Sequence, residues 1–480
     1  MRFREWTILL LLTAAAFLIH GYHPYVEDAA FYVPAAEKAL QPGLFPHDAE
    51  FFESHGGLTF FPQLIAGSER LSHLSLESVL LLWQLVCVFL FLAGAWRVSR
   101  ACFDEPEARW GSVGLLVALQ TLPAGATTLL LVDQYLNPRS FSSWAALFAV
   151  AFALEKRYLP AMLLVAASGL VHPLMPVFSG FFLVLLWWGQ KRAGVAAVAA
   201  LAPISFLFDD PSAAYHQAAM LHRWHYIQLW GFSGWLGLCA PVAIFVWFGS
   251  IARSRQMRNV ELLCRSLVLL LVCSLAGALV LDLPARFEAL ARLQPMRSLH
   301  LAYNLLFVLL GGMLGRFVLK RKVWRWLLLF VPLCAGAAAV QLAMYPASAH
   351  VEWPGGQSRN QWVNAFVWIR ENTPQNSYFA LDPEYLNLPG EDRQAFRPIA
   401  ERSMLADLVK DSGAVSMFPS LAENWWEQVQ AQAGWKGFQE NDFKRLQQRY
   451  GVDWVVLQQP GVPGLACPYQ NASVRVCKIP

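Results

Sequence analysis

Charged residues are scarce in this 480-residue sequence. Only 15% of the residues are Asp, Glu, Lys or Arg, whereas 56% are hydrophobic, and soluble domains usually carry about 25% charged residues. Uncharged apolar runs such as 76–96 and 327–344 are long enough to span a membrane. The composition therefore excludes an ordinary soluble domain for most of the chain and predicts a polytopic α-helical membrane protein.

Several motifs of soluble proteins are also missing. The sequence has no CxxC pair and no Cys/His zinc spacing, and its polar C-terminal region has no glycine-rich phosphate loop and no Ser/His/Asp set. Lys and Arg lie in short turns between apolar runs instead of forming one patch. We therefore expect membrane lipids as neighbours and no nucleic-acid partner.

The eight cysteines fall into two groups. Most lie in apolar runs, where cysteine acts as a small hydrophobic residue, and Cys102, in a predicted cytoplasmic turn, is expected to be a free thiol. Cys467 and Cys477 are the only pair in the polar C-terminal region. We expect a disulfide between them if that region lies outside the cytoplasm.

Apolar runs alternate with basic turns along the first 345 residues and predict about eleven spans. With that number, every strongly basic short turn lies on one side, as the preference of Lys and Arg for cytoplasmic loops requires. No small-x-small cleavage site follows the first run, so we expect an uncleaved first helix with a cytoplasmic N-terminus. The predicted spans are about 6–20, 76–98, 110–131, 141–154, two within 158–189, 193–208, 231–251, 260–281, 298–318 and 326–345.

Residues 158–189 are too many for one span and contain His172-Pro173 and Pro176. Proline lacks a backbone donor and disfavours helix in the residue before it, so we predict two short spans that meet at the outer face near His172. A histidine at such a break is most often a structural hydrogen bonder. Contact with a substrate is the alternative role for His172.

The topology divides the chain into two parts. Residues 1–345 form a transmembrane domain with a large first external loop, 21–75. From about residue 346 the apolar runs shorten, and helix-like and strand-like segments alternate up to VRVCKI. We therefore predict an extracytoplasmic α/β domain over residues 346–480.

The densest group of ionisable residues follows the first span. Glu27 and Asp28 lie seven residues beyond that span, so their carboxylates are expected near the outer membrane surface. A carboxylate there can act as a general base toward an acceptor hydroxyl, or can hold a divalent cation against phosphate oxygens. The alternative is an acidic pair that caps an interfacial helix, because AAFYVPAAEKAL follows directly.

Asp48 and Glu50 form a second acidic group in the same loop. His47 and His55 are close in sequence, but their spacing fits no standard metal motif, so no metal-binding residue is assigned.

Arginines on the predicted outer face run against the positive-inside bias and need a reason. The candidates are Arg139, Arg223 and Arg297, with His300 one turn after Arg297. A phosphate or pyrophosphate headgroup is one reason, because guanidinium offers a planar fork of donors. Pairing with lipid phosphates, or with Asp282 and Glu288, is the alternative.

Together these features resemble the GT-C superfamily of membrane glycosyltransferases, which use polyprenyl-phosphate-linked sugars. The resemblance rests on an acidic pair early in the first external loop, many spans and an outer α/β domain. The stretches GYHPYVEDAAFYVPAAEKAL, NPRSFS and WIRENTPQNSYFALDPEY resemble an uncharacterised bacterial branch.

The resemblance implies that Asp28 occupies the catalytic acidic position, with Glu27 as its neighbour or substitute and Asp48 as a supporting acid. The chain lacks the WWD-type motif of oligosaccharyltransferases in its outer domain, which argues against transfer to a protein asparagine. It further implies a multi-pass protein of the bacterial cytoplasmic membrane.

Three functions follow as hypotheses. The first is a hexosyltransferase that moves a sugar from a lipid-linked donor to a glycan, lipid or protein acceptor. The second is a transporter or flippase of lipid-linked sugars, which should place ionisable residues at mid-membrane. The third is a non-catalytic scaffold that presents the outer domain, in which the acidic loop should face bulk solvent.

Overall fold

The computed structural model describes residues 3–191, 212–281, 290 and 292–480. Its N-terminal part is helical. The helices are α1 (Phe3–His20), α2 (Ala29–Leu40), α3 (Glu50–Gly56), α4 (Phe61–Ser72), α5 (Leu76–Cys102), α6 (Pro106–Leu119), α7 (Pro138–Leu154), α8 (Tyr158–Val171), α9 (Met175–Lys191), α10 (Ala213–Leu221), α11 (Phe232–Ser254), α12 (Arg258–Leu281), α13 (Ser298–Met313, continued by the π-helix Leu314–Leu319) and α14 (Val323–Met344).

Helices lie at ten of the eleven predicted spans, and the other, 193–208, falls outside the described residues. Within the described part of the chain, six helices are long and apolar enough to cross a membrane. They are Phe3–His20, Leu76–Cys102, Phe232–Ser254, Arg258–Leu281, Pro295–Leu319 and Val323–Met344. The chain is thus a helical membrane protein with a C-terminal domain, and the number of eleven spans stays a prediction.

The middle of the membrane part uses shorter helices. As predicted, 158–189 forms two helices, α8 and α9, which meet at His172. The third span was expected to continue to residue 131, and this prediction is wrong. Helix α6 ends at Leu119, and the chain folds back through a short bridge between Pro123 and Leu130, with Gly125 at a φ of +64°. Proline without a donor and a left-handed glycine both oppose continued helix.

Segment 21–75, predicted as the first external loop, is not an open loop. It folds into α2, α3 and α4, and α2 begins at the Ala29 where the sequence indicated a helix. Together with the connection between α2 and α3, these helices bury an apolar face that includes Phe45, Phe52 and Phe61, all 0% exposed. The segment therefore forms a packed layer at one end of the membrane helices.

Close backbone contact joins α6 and α13. A side chain at Gly311 would bring its Cβ within 2.3 Å of the Gly111 carbonyl oxygen, and one at Gly315 within 2.2 Å of the Glu107 carbonyl oxygen. Small residues allow such approach between membrane helices, where van der Waals packing drives association. This contact fixes α13, whose N-terminal end carries Arg297 and His300.

The C-terminal domain is α/β, as predicted. Its helices are α15 (Gln361–Asn372), α16 (Phe396–Ala400), α17 (Asp411–Met417), α18 (Ala422–Ala431) and α19 (Glu440–Tyr450), and its strands are β1 (Tyr378–Leu381), β2 (Ser403–Met404), β3 (Trp454–Gln458), β4 (Ala466–Gln470) and β5 (Val474–Lys478). The sheet order is β2-β1-β3-β5-β4. Strand β1 is parallel to β2 and β3, whereas β5 is antiparallel to β3 and β4.

The C-terminal cysteine pair forms the expected disulfide between Cys467 on β4 and Cys477 on β5. It joins the edge strand β4 to its neighbour β5. The remaining six cysteines are free.

The domain packs directly onto the start of segment 21–75. Tyr22 pairs with Val351, Val26 pairs with Gln394, and Ala395 donates its backbone N–H to the Tyr25 carbonyl at 2.9 Å. The chain between α1 and α2 is therefore fixed by backbone contacts from the C-terminal part.

We expect Gly311→Ala to destabilise the protein by about 1–3 kcal/mol or more, because the added methyl group overpacks the α6–α13 contact. The matched control is Gly169→Ala on α8, where an added Cβ meets nothing within 4 Å. Thermal unfolding of both purified variants in detergent measures the difference, and equal melting temperatures would contradict the proposed contact.

Candidate functional site

Glu27 and Asp28 lie at the junction between the C-terminal domain and the ends of the membrane helices. Glu27 has a φ of +52°, and Asp28 directly precedes α2. Asp28 occupies the N-cap position of α2, as the helix-capping alternative expected, but its side chain makes no capping hydrogen bond there. Its carboxylate instead accepts from two cationic side chains, at 2.8 Å from Arg139 Nη1 and at 3.3 Å from Lys410 Nζ.

Arg139 is positioned by the first turn of α7. Asn137 caps that helix through a reciprocal capping box with Ser140, and Pro138 occupies the first helical position. The guanidinium then bridges two acids, because Nη2 donates to Asp133 Oδ2 at 2.9 Å while Nη1 donates to Asp28. With 9% of its side chain exposed, Arg139 is a fixed donor fork.

The C-terminal domain contributes two further cations to the acidic pair. Lys410 Nζ lies 2.6 Å from Glu27 Oε2, and Arg393 Nη1 donates to Glu27 Oε1 at 2.9 Å. The side chains of Asp28 and Glu27 are 28% and 31% exposed. Both acidic side chains are therefore partly exposed where the two parts of the chain meet.

These cations control the ionisation of the acidic pair. Burial alone would raise the pKa of the Asp28 carboxyl, but Lys410 and Arg139 outweigh it and hold that pKa well below its usual range. Burial likewise opposes ionisation of Glu27, yet Lys410 and Arg393 lower its pKa. Both residues are carboxylates at neutral pH.

Two nearby histidines are neutral. Burial lowers the pKa of His55 and of His222 to about 4, and Asp28 lies within electrostatic range of both. His55 stacks on Phe31, and His222 shares a hydrogen bond with Ser412 at 3.1 Å. They add no charge near the acidic pair at neutral pH.

Arg297 lies at the start of α13 and lines a small pocket. The pocket is bounded by residues of α7, α9 and α13, including Ser142, Ser143 and His300. Asp28 and Arg139 are not among its lining residues, but the Ser143 hydroxyl donates to the Arg139 carbonyl at 2.8 Å. The pocket thus begins one turn of α7 away from Arg139.

Arg297 is half-buried and donates from Nε to Gln294 Oε1. Among the residues that the structure describes, no acid forms an ion pair with it. Asp282 and Glu288, its alternative partners, lie outside the described residues. Its charge reaches Asp28, whose pKa it lowers after the larger effects of Lys410 and Arg139.

The two candidate histidines make structural hydrogen bonds. His300 Nε2 lies 3.1 Å from the Leu131 carbonyl oxygen, and its Nδ1 lies 3.4 Å from Asn304 Nδ2. His172 Nδ1 accepts from the Met175 backbone N–H at 3.3 Å at the start of α9. Both fix helix ends around the pocket, and substrate contact by either stays a prediction.

Asp48 does not contact Glu27 or Asp28 in the structure. It accepts from Arg397 Nε at 2.6 Å and from the Met404 N–H at 3.0 Å. Arg397 also makes a two-bond contact with Asp411, at 2.9 Å each, and Asp411 directly follows Lys410. All three side chains are buried, with exposures of 0%, 3% and 0%. Asp48 therefore stabilises the turn that presents Lys410.

The remaining candidates lie apart from this cluster. Arg223 is exposed on a 3-10 helix, Arg223–His225. His47 stacks on Tyr378, and within the described ranges no group of three or more His, Cys, Asp or Glu side chains is arranged to hold a metal ion.

Sequence reasoning missed Asp133, Arg393 and Lys410. Asp133 could have been found, because it lies in the connection that leads from α6 to Arg139 at the start of α7, in VDQYLNPRSFS. Arg393 and Lys410 carry no local signal. They are ordinary charged residues in a polar region until the domain packs against residues 21–28.

Comparisons with known proteins give distant likenesses among solved structures only. No family model and no curated protein matches the sequence. Among solved structures, the chain is similar to the archaeal oligosaccharyltransferase AglB from Archaeoglobus fulgidus, determined with an inhibitory peptide and a dolichol-phosphate. The identity is 11% and the TM-score 0.40, over 95% of this chain and 69% of that chain. The roles of the site residues rest on the geometry of this chain.

We expect Arg397→Met to cost about 3–5 kcal/mol, because it leaves the Asp48 and Asp411 carboxylates buried without a cationic partner. The control is Arg445→Met in the same domain, which removes an exposed ion pair with Asp442 and should change stability little. Thermal unfolding compares the two, and an unchanged melting temperature for Arg397→Met would refute the structural role.

The lowered pKa of Glu27 predicts how stability depends on pH. Its ionised form stabilises the fold fully above the unfolded pKa of about 4.5, and this contribution is lost as the pH falls through the lower folded pKa. Glu27→Gln should therefore melt below the wild type at pH 7, with a difference that closes below pH about 4.5.

Melting curves from pH 7 to pH 3 test this. Exposed Glu53→Gln serves as the control and should show no such difference. A gap between wild type and Glu27→Gln that stays constant over this range would contradict the ion pairs of Glu27.

Proposed function

We propose that the chain is a membrane glycosyltransferase of the hexosyltransferase type. It would transfer a sugar from a polyprenyl-phosphate donor to an acceptor hydroxyl on a glycan, lipid or protein, at the outer face of the bacterial cytoplasmic membrane. The proposal places the N-terminus in the cytoplasm and the C-terminal domain outside. The observation that carries it is the partly exposed Asp28 side chain, fixed between Arg139 and Lys410, with Arg139 one turn of α7 from the pocket that contains Arg297.

Glycosyl transfer from a lipid phosphate needs two functions at one place. An acceptor hydroxyl must be oriented toward the sugar, and negative charge must be stabilised on the departing phosphate. Asp28 can accept a hydrogen bond from the hydroxyl. Arg297 suits the phosphate, because in the described part of the chain its charge is not neutralised by an acid.

The low pKa of Asp28 refines its role. A general base works best when its pKa lies near the working pH, so Asp28 in its paired state orients a hydroxyl better than it deprotonates one. A bound phosphate that draws Arg139 or Lys410 toward itself would weaken the pairing and raise the pKa of Asp28. Donor binding would thereby make Asp28 a stronger base.

The location of the charges supports an enzyme over the alternatives. A transporter would place ionisable residues midway along the spans, whereas this cluster lies at helix ends, before α2 and at the first turn of α7. A scaffold would leave the acidic loop in bulk solvent, whereas Glu27 and Asp28 are ion-paired from both parts of the chain.

Asp28→Asn should lower sugar transfer by about 10²- to 10⁴-fold, the usual contribution of a positioned acid–base group. Transfer is measured in membranes with a panel of polyprenyl-phosphate sugars. Asp104→Asn, an exposed aspartate in the turn after α5, is the matched control. Melting temperature and gel filtration verify that both variants fold, and near-wild-type transfer by folded Asp28→Asn would refute the catalytic role.

A further inference from the structure

Paired carboxylates at a phosphate-handling site suggest a divalent cation, and the sequence left this alternative open. Mg²⁺ and Ca²⁺ need free oxygen ligands, usually six or more including waters. Here all four carboxylate oxygens of the pair already face cationic side chains. Glu27 Oε1 faces Arg393, Glu27 Oε2 and Asp28 Oδ1 face Lys410, and Asp28 Oδ2 faces Arg139. These residues do not fit a metal ion.

The charge of the cluster leads to the same conclusion. Three acids, Glu27, Asp28 and Asp133, meet three paired cations, Lys410, Arg139 and Arg393. Arg297 adds one more positive charge within range of Asp28, so four cations minus three acids leaves +1. A divalent ion would raise this to +3, whereas a phosphate group would bring it close to neutral.

Lys410 is held in place by a buried framework. The Asp407 carboxylate accepts hydrogen bonds from the backbone N–H groups of Val409, Lys410 and Asp411. Asp411 directly follows Lys410, and Arg397 fixes it through two hydrogen bonds. As a result, only 14% of the Lys410 side chain is exposed, although a lysine ammonium normally prefers full hydration.

We infer that Lys410 takes the place of a divalent cation between Glu27 and Asp28, so that a phosphate-bearing ligand meets side-chain cations instead of a metal ion. The ammonium bridges one oxygen of each acid, as a shared metal would. The identity of the ligand as a lipid phosphate rests on the proposed function. The cation position, which is the place of the Lys410 ammonium between Glu27 and Asp28, does not.

The test uses the full-length protein purified in detergent and treated with EDTA, with Mn²⁺ alone as the probe. Wild type and Lys436→Met, an exposed lysine control in the same domain, should show no saturable change in melting temperature. Lys410→Met should gain a saturable rise of about 2 °C or more, because two carboxylates lose their shared ammonium and can ligate the ion.

Either of two results overturns the inference. One is a saturable Mn²⁺ effect in the wild type that disappears in Glu27→Gln, because the carboxylates would then ligate a metal despite Lys410. The other is a folded Lys410→Met that stays insensitive to Mn²⁺. If Lys410→Met does not fold, the wild-type and Glu27→Gln titrations still decide.

An activity measurement separates this inference from the proposed function. Sugar transfer that persists in EDTA supports both. Transfer that is abolished by EDTA and restored by Mn²⁺ overturns the role of Lys410 and leaves the glycosyltransferase in place. If no lipid-linked sugar supports transfer, the proposed function fails, while the Mn²⁺ titrations still decide whether Lys410 occupies the cation position.

Discussion

The ion pair between Arg139 and Asp28 is the interaction on which the site depends. Its two residues come from different parts of the membrane domain, the first turn of α7 and the segment between α1 and α2. Removing charges from water is costly, and it is offset only when each charge meets a partner with good geometry. Arg139 meets this condition because its planar fork reaches Asp28 and Asp133 at once.

The same requirement ties the C-terminal domain to the membrane domain. Glu27 and Asp28 need more positive charge than Arg139 provides, and Lys410 and Arg393 supply it from the domain. Lys410 depends in turn on a buried acid from segment 21–75, because Asp48 binds Arg397 and Arg397 binds Asp411. The two parts of the chain thus complete each other's charge pairs, and neither part forms the site alone.

An excess of positive charge gives this site its chemical character. With every oxygen of the acidic pair already accepting from a cation, the available interaction is with an anion, through Arg297 and by competition for Arg139 and Lys410. Binding of an anion and the basicity of Asp28 are then coupled, because each cation drawn toward a phosphate is one that stabilises the carboxylate less.

Sequence alone determined the features that depend on local composition. Hydropathy indicated the membrane helices, and apolar periodicity located α15, β1, α19 and β3. The dense acidic stretch after the first helix selected Asp28, and a positive charge on the predicted outer face selected Arg139. It could not determine how α6 ends, whether Asp28 caps a helix or pairs with an arginine, or what Asp48 contacts. Lys410 lies 382 positions from Asp28, and a charge pair over such a separation leaves no pattern in either neighbourhood. Only the packing of the C-terminal domain on residues 21–28 decided that Lys410 pairs with Asp28. An ion pair depends on the distance between two side chains in space, whereas a hydropathy pattern depends on neighbouring residues in the chain.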